Sequence, residues 1–138
     1  MNTKKEEKEM KAIFKAFRPY IDSQDYFDIV YSKKFGFIRI RIDDEYCDEE
    51  PQILDTPKKM LGALFNDIIN DVVYSPDNPK KEHEDFTLTG YEEAESRRRI
   101  AAILKAMKKG DRARYFKLLD AYIEEYQEGG LSDWDDDE

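Results

Sequence analysis

The most constraining stretch of this sequence is Met60 to Val73. Met60, Leu61, Leu64, Phe65, Ile68, Ile69, Val72 and Val73 recur at i, i+4 and i+8, which is the signature of a helix with a broad buried face. Thr56 followed by Pro57 marks its start, with the proline at the first helical position, where its missing N–H costs least. The pattern carries to about Tyr74. Asn66, Asp67, Asn70 and Asp71 interrupt the apolar run, so it cannot span a bilayer. A helix this apolar needs the rest of the chain around it, and 138 residues suffice to bury one core.

The flanking segments supply the elements for that core. Thr3 and Glu6 have capping-box spacing, and Met10, Ile13, Phe14 and Phe17 form the stripe of a first helix that Pro19 should end near Arg18. Residues 26–42 alternate as a β-hairpin. With Lys33 to Gly36 as the loop, Tyr31 is expected opposite Ile38, Ile29 opposite Ile40 and Phe27 opposite Ile42, all on one face, with Asp28 opposite Arg41 on the other. Two strands alone are weakly stable, so the hairpin must lie on helices, and a short third strand at Phe86 to Thr89 is a candidate addition. Thr89 and Glu92 repeat the capping box and open a helix that Gly110 should end. Asp111 should cap the next helix, which Gly129 stops. So short a turn forces an antiparallel helical hairpin. The expected architecture is α+β: N-terminal helix, antiparallel β-hairpin, long core helix, antiparallel helical hairpin. Residues 1–130 are expected to form a single domain, with residues 131–138 as an acidic tail too polar to pack except through Leu131 and Trp134.

Charge distinguishes the last two helices. Arg97 to Lys117 holds nine basic residues and one acid, whereas Leu118 to Glu138 holds nine acids and no base. Folded as a hairpin, Lys105, Lys108, Lys109, Arg112, Arg114 and Lys117 gather at the tip, while Glu92, Glu93 and Glu95 lie beside Glu124, Glu125 and Glu128 at the base. The second helix then carries cations in its first turns and anions in its last, against the helix dipole. Arg98, Lys105 and Lys109 read as one stripe that could track phosphates, although no aromatic is interleaved for stacking and no Asn or Gln is near for base edges.

The net charge of −9 disfavours general nucleic-acid or anionic-membrane binding and favours a basic partner. The leading expectation is a non-enzymatic interaction or regulatory protein that engages a basic macromolecular surface, in the manner of an inhibitor that mimics phosphate charge. Its contacts would be the acidic loop Asp43, Asp44, Glu45, Asp48, Glu49 and Glu50, then Glu124, Glu125 and Glu128, and the tail with Trp134, Asp135, Asp136 and Asp137. The alternative is nucleic-acid binding through the basic tip, Arg98 included. A second copy of the chain could also meet that tip, as could solvent or acids of the same molecule, namely the loop Asp43 to Glu50 and the acidic tail, since charge runs are usually solvated faces.

Chemistry finds little footing. Cys47 is the only thiol, so no internal disulfide forms, and its acidic neighbours disfavour the thiolate. His83, the only imidazole, has adjacent carboxylates but lacks the spaced ligands of a transition-metal site, so neither metal nor cofactor is expected. The acids of the tail lack the spacing of a calcium loop. No phosphate-cradling glycine loop or nucleophile elbow occurs. An enzyme using an unrecognised carboxylate pair remains the third reading. The charged N-terminus resembles no signal peptide, which points to the cytoplasm.

Overall fold

A computed structural model describes residues 4–42, 51–79 and 88–128. Its order is α1 (Lys4–Asp22), β1 (Phe27–Ser32), β2 (Gly36–Arg41), β3 (Gln52–Leu54), α2 (Pro57–Val73), α3 (Gly90–Leu104) and α4 (Lys109–Glu128). The fold is α+β, and its contacts divide into two compact units, Met1–Met60 and Leu61–Glu138. Among the described residues, no helix is long and apolar enough to cross a membrane.

In the first unit, α1 buries Met10, Ile13, Phe17 and Ile21 as one stripe. Burying an aliphatic or aromatic side chain of this size contributes about 1.5–3 kcal/mol. The helix does not stop at Pro19 as expected. It runs on to Asp22, with Pro19 inside. The proline forfeits a helical hydrogen bond, but the extra turn carries Ile21 to 1% exposure. Ser23 closes the end by donating from both its backbone N–H and its hydroxyl to the Tyr20 carbonyl. Thr3, half of the expected capping box, lies outside the described residues.

The sheet is antiparallel in the order β1-β2-β3. Its register differs by one residue from expectation. Phe27 faces Arg41, Asp28 faces Ile40, Ile29 faces Arg39, Val30 faces Ile38 and Tyr31 faces Phe37. A one-residue shift exchanges the two faces of a strand, so Phe37, not Ile38, Ile40 and Ile42, turns with Phe27 and Ile29 toward α1. Two observations account for this. The Phe37 ring lies 5.1 Å from the rings of both Phe14 and Tyr31, and its strand partner Leu54 is fully buried. The loop also has three residues, Lys33 to Phe35. Gly36 follows at φ 78°, and the Ser32 hydroxyl accepts the N–H groups of Lys34 and Phe35. Arg39 then falls on the inner face, where its guanidinium sits 4.6 Å from the centre of the Phe27 ring. On the outer face Val30, Ile38 and Ile53 stand opposite one another.

The third strand of the sheet is Gln52–Leu54. Residues 86 and 87 lie outside the described residues, and Leu88 and Thr89 lead into α3 without strand pairing. β3 is favoured because it follows β2 closely and places Leu54 in the core.

In the second unit, α2 continues from a Thr56 cap, whose hydroxyl accepts the Lys59 N–H at 3.1 Å. Leu61, Leu64, Phe65, Ile68, Ile69 and Val72 are at most 1% exposed. From α4, Tyr122 places its ring 6.0 Å from Phe65, edge-on, and its hydroxyl donates to Asn66 Oδ1 at 3.0 Å. The inner row of α3 is Glu92, Ser96, Ile100 and Leu104. That of α4 is Tyr115, Leu119, Tyr122 and Ile123.

Glu92 is 1% exposed, so its carboxyl group needs hydrogen-bond partners within the protein. The expected capping box is present: Glu92 Oε1 accepts the Thr89 N–H at 2.7 Å, and the Thr89 hydroxyl accepts the Glu92 N–H. Asn78 Nδ2 donates to Glu92 Oε2 and to the Val73 carbonyl, each at 2.8 Å. The amide thus ties the end of α2 to the start of α3. Asn78→Ala removes these donors from a buried carboxylate and should cost about 1–3 kcal/mol in chemical denaturation, whereas Ser75→Ala, on the adjacent part-exposed turn, should cost well under that.

Candidate macromolecular interface

Two expectations about the α3–α4 turn are corrected. Gly110 does not end α3. It is the second residue of α4, and its φ is not positive, so it does not adopt the left-handed cap conformation. α3 stops at Leu104, with Lys105 as its cap. Ala106 and Met107 bond back to Ile103 and Leu104 in a tightened last turn. α4 begins when the Arg112 N–H reaches the Lys108 carbonyl at 2.8 Å. Asp111 is therefore not a cap. It lies in the first turn, where an acid suits the dipole and where Arg114 reaches it at 3.1 Å.

Four arginines of the hairpin, Arg97, Arg98, Arg99 and Arg114, are consumed locally. Arg97 bridges Glu93, one turn back, and Asp120 across on α4. Glu95 accepts from Arg98 Nε and Nη2 at 2.7 Å each and from Arg99 Nε at 3.0 Å. Arg114 pairs with Asp111 and lies over the Tyr115 ring at 5.0 Å. The expected clash of like charges at the hairpin base is thereby largely relieved, because Glu92 is in the cap network and Glu93 and Glu95 each hold arginines. The expected stripe of Arg98, Lys105 and Lys109 also dissolves. Arg98 is engaged with Glu95, and Lys109 belongs to α4.

The tip is different. Lys105, Lys108, Lys109 and Lys117 are exposed and Arg112 is partly so. Among the described residues none of these five has an ion-pair partner. Four of them lie within the turn and the first turn of α4. Lys117 stands about 12 Å further along the helix from Lys109, at 1.5 Å per residue. The positive end of the α4 dipole adds to the same field.

The acidic candidates are placed less fully. Glu124 is exposed, Glu125 is partly buried, and one Glu125 carboxylate oxygen is buried with no hydrogen-bond partner among the described residues. Glu128 enters as the last residue of α4. The acidic loop Asp43 to Glu50, the tail with Trp134 and Asp135 to Asp137, Cys47, His83 and Gly129 lie outside the described residues. Among the described residues, no three of His, Cys, Asp and Glu come together as metal ligands would. One surface went unnoticed in the sequence: a cleft of about 240 Å³ in the first unit, between α1 and the β1–β2 loop. In the run Tyr31 to Phe37 aromatics flank a lysine pair, but a hairpin loop accounts for that pattern, and the rest of the cleft comes from α1 and Asp55, far away in sequence.

No family model matches the chain, and neither does any curated protein or solved structure.

The arginine pairs give the hairpin a defined response to acid. Hydrogen bonds from Arg98 and then Arg99 hold the Glu95 carboxyl well below the usual carboxylate range, at about 2. Its folded value lies below the ordinary 4.5. The contribution is therefore complete above pH 4.5 and fades as pH falls toward 2. Glu95→Gln should slightly lower the melting temperature at neutral pH, and its difference from the parent should shrink through that window and vanish at its acid end.

Proposed function

We propose that this chain is a non-enzymatic interaction protein of the cytoplasm, and that the basic tip of the α3–α4 hairpin is its contact with a polyanionic partner, namely nucleic acid. The observation that carries this reading is the inequality between the two kinds of cation. The arginines beside acids are paired, while Lys105, Lys108, Lys109, Arg112 and Lys117 have no carboxylate among the described residues. Four like charges held around one turn, with Lys117 about 12 Å further along α4, repel one another and bring no stability of their own. A row of phosphates would neutralise them and release counterions.

The rest of the molecule sets the character of such binding. A net charge of −9 repels nucleic acid at a distance and orients the chain so that the tip leads. The tip offers no Asn or Gln for base edges and no exposed aromatic for stacking. Its contacts would fall on phosphates, independent of sequence. Binding should be weak at physiological salt and strong only at low ionic strength.

A second reading keeps the acidic surface as the contact for a basic protein. It is supported by the net charge and by exposed Glu124 beside Glu125, with its unpartnered oxygen. Fluorescence anisotropy with a labelled duplex separates the two. The tip reading expects binding at low salt, with log K falling against log salt by about 0.9 per phosphate contacted, hence by at most about 4–5 in all. Lys105→Glu, Lys109→Glu and Arg112→Glu together should abolish it without changing the circular dichroism spectrum. No binding at about 20 mM salt, where the Debye length exceeds 20 Å, removes the tip reading. Capture of a polylysine surface that needs Glu124 and Glu125 and ignores the tip would favour the second.

A further inference from the structure

We propose that the cleft between α1 and the β1–β2 loop is a nucleotide site, in which a base stacks on Phe35 and its phosphate lies on Lys33 and Lys34. The cleft holds about 240 Å³, ample for a planar base. Its rim carries two large aromatics that folding leaves in water, Phe35 at 60% and Tyr31 at 49% exposure. Phe37 forms the floor and holds the Tyr31 ring at 5.1 Å. Single exposed aromatics are ordinary on protein surfaces. Two on one cleft, flanking a pair of exposed lysines in sequence, match the stacking platform and electrostatic groove by which nucleotides are held.

The charge balance fits the same occupant. Lys33 and Lys34 line the cleft and have no ion-pair partner among the described residues. Lys11, from α1, adds a third ammonium 5.3 Å from the centre of the Tyr31 ring. Two acids also line the cleft. Asp55 is answered by Lys59 at 3.1 Å, an ion pair with poor hydrogen-bond geometry. Glu7, exposed on α1, is a carboxylate acceptor suited to an exocyclic amino group of the base and unsuited to a bare anion. The loop is set before the ligand arrives. The Ser32 hydroxyl accepts the N–H groups of Lys34 and Phe35, and Gly36 takes the φ of 78° that lets the chain turn directly behind Phe35. This site is separate from the hairpin tip and does not depend on it.

The test is a titration of the full chain with adenosine monophosphate, with a short single-stranded oligonucleotide and with inorganic phosphate, read by calorimetry and by backbone amide shifts. The proposal expects shifts at Tyr31 to Phe37 and at Glu7 and Lys11 with either nucleotide ligand. A response to the monophosphate identifies a free nucleotide as sufficient, and a response to the oligonucleotide alone identifies a strand. Phe35→Leu keeps an apolar side chain at an exposed position and should weaken binding about ten-fold or more. Lys33→Glu with Lys34→Glu should abolish it. The tip variants Lys105→Glu, Lys109→Glu and Arg112→Glu should leave these amide shifts intact, so failure at one site is distinguishable from failure at the other. Absence of shifts at the loop with both nucleotide ligands, inorganic phosphate binding as tightly as the monophosphate, or unchanged affinity in Phe35→Leu would each overturn the proposal.

Discussion

The buried Glu92 carboxylate fixes the geometry on which the second unit depends. Its two oxygens take the Thr89 N–H and the Asn78 amide, and Asn78 also holds the last carbonyl of α2. That sets the first turn of α3 in phase. From Glu92, helical spacing sends Ser96, Ile100 and Leu104 inward. Arg97, Arg98 and Arg99 are left further out, one turn beyond Glu93 and Glu95. The ion pairs of α3 are therefore a consequence of where the helix begins. Five residues past Leu104 the chain has entered α4, whose first turn has only Asp111 to offer its cations.

Magnitudes decide how that charge layout should be understood. An exposed pair one helical turn apart contributes well under 1 kcal/mol, so the arginine pairs are minor for stability beside the buried row of Tyr115, Leu119, Tyr122 and Ile123. Their consequence is subtractive. They remove arginines from the surface available to a partner and leave lysines, together with Arg112, at the tip. Lysine is a compact, mobile point charge that meets phosphates without demanding a planar, bidentate geometry. The β1–β2 loop differs because lysines and rings share one cleft there, whereas at the tip the Tyr115 ring is buried and Arg114 lies on it.

The elements themselves were legible in the residues. The α2 periodicity and the Thr56 and Thr89 caps are as the spacing implies. What failed was the choice between local rules that compete. In β2 the alternation Ile38, Ile40, Ile42 is a cleaner pattern than Phe37, Arg39, Arg41. The second set faces the helix because one phenyl ring packed on Phe14 outweighs the pattern, and because Arg39 can lie over Phe27. Pro19 is a stop signal by local rules, but the burial of Ile21 one half-turn on outweighs it. Gly110 and Asp111 looked like a stop and a cap, but a glycine and an acid are equally at home in a first helical turn. The basic tip was visible as charge, although only coordinates could show that Arg97, Arg98, Arg99 and Arg114 are taken. The cleft required three segments far apart in sequence, and no single-window pattern points to it.

The account rests on the tip cations being unmatched within the molecule, and thermal melting of Lys105→Gln, Lys109→Gln and Lys117→Gln combined measures that most directly. Glutamine has nearly the helix propensity of lysine, so charge is the main variable. If the cations repel one another without compensation, the triple variant melts at a higher temperature than the parent at low ionic strength, and the gain disappears near 1 M salt, where screening acts within about 3 Å. A triple variant that melts lower than the parent at low salt would mean that acids of the same chain already answer these lysines, and would contradict the account.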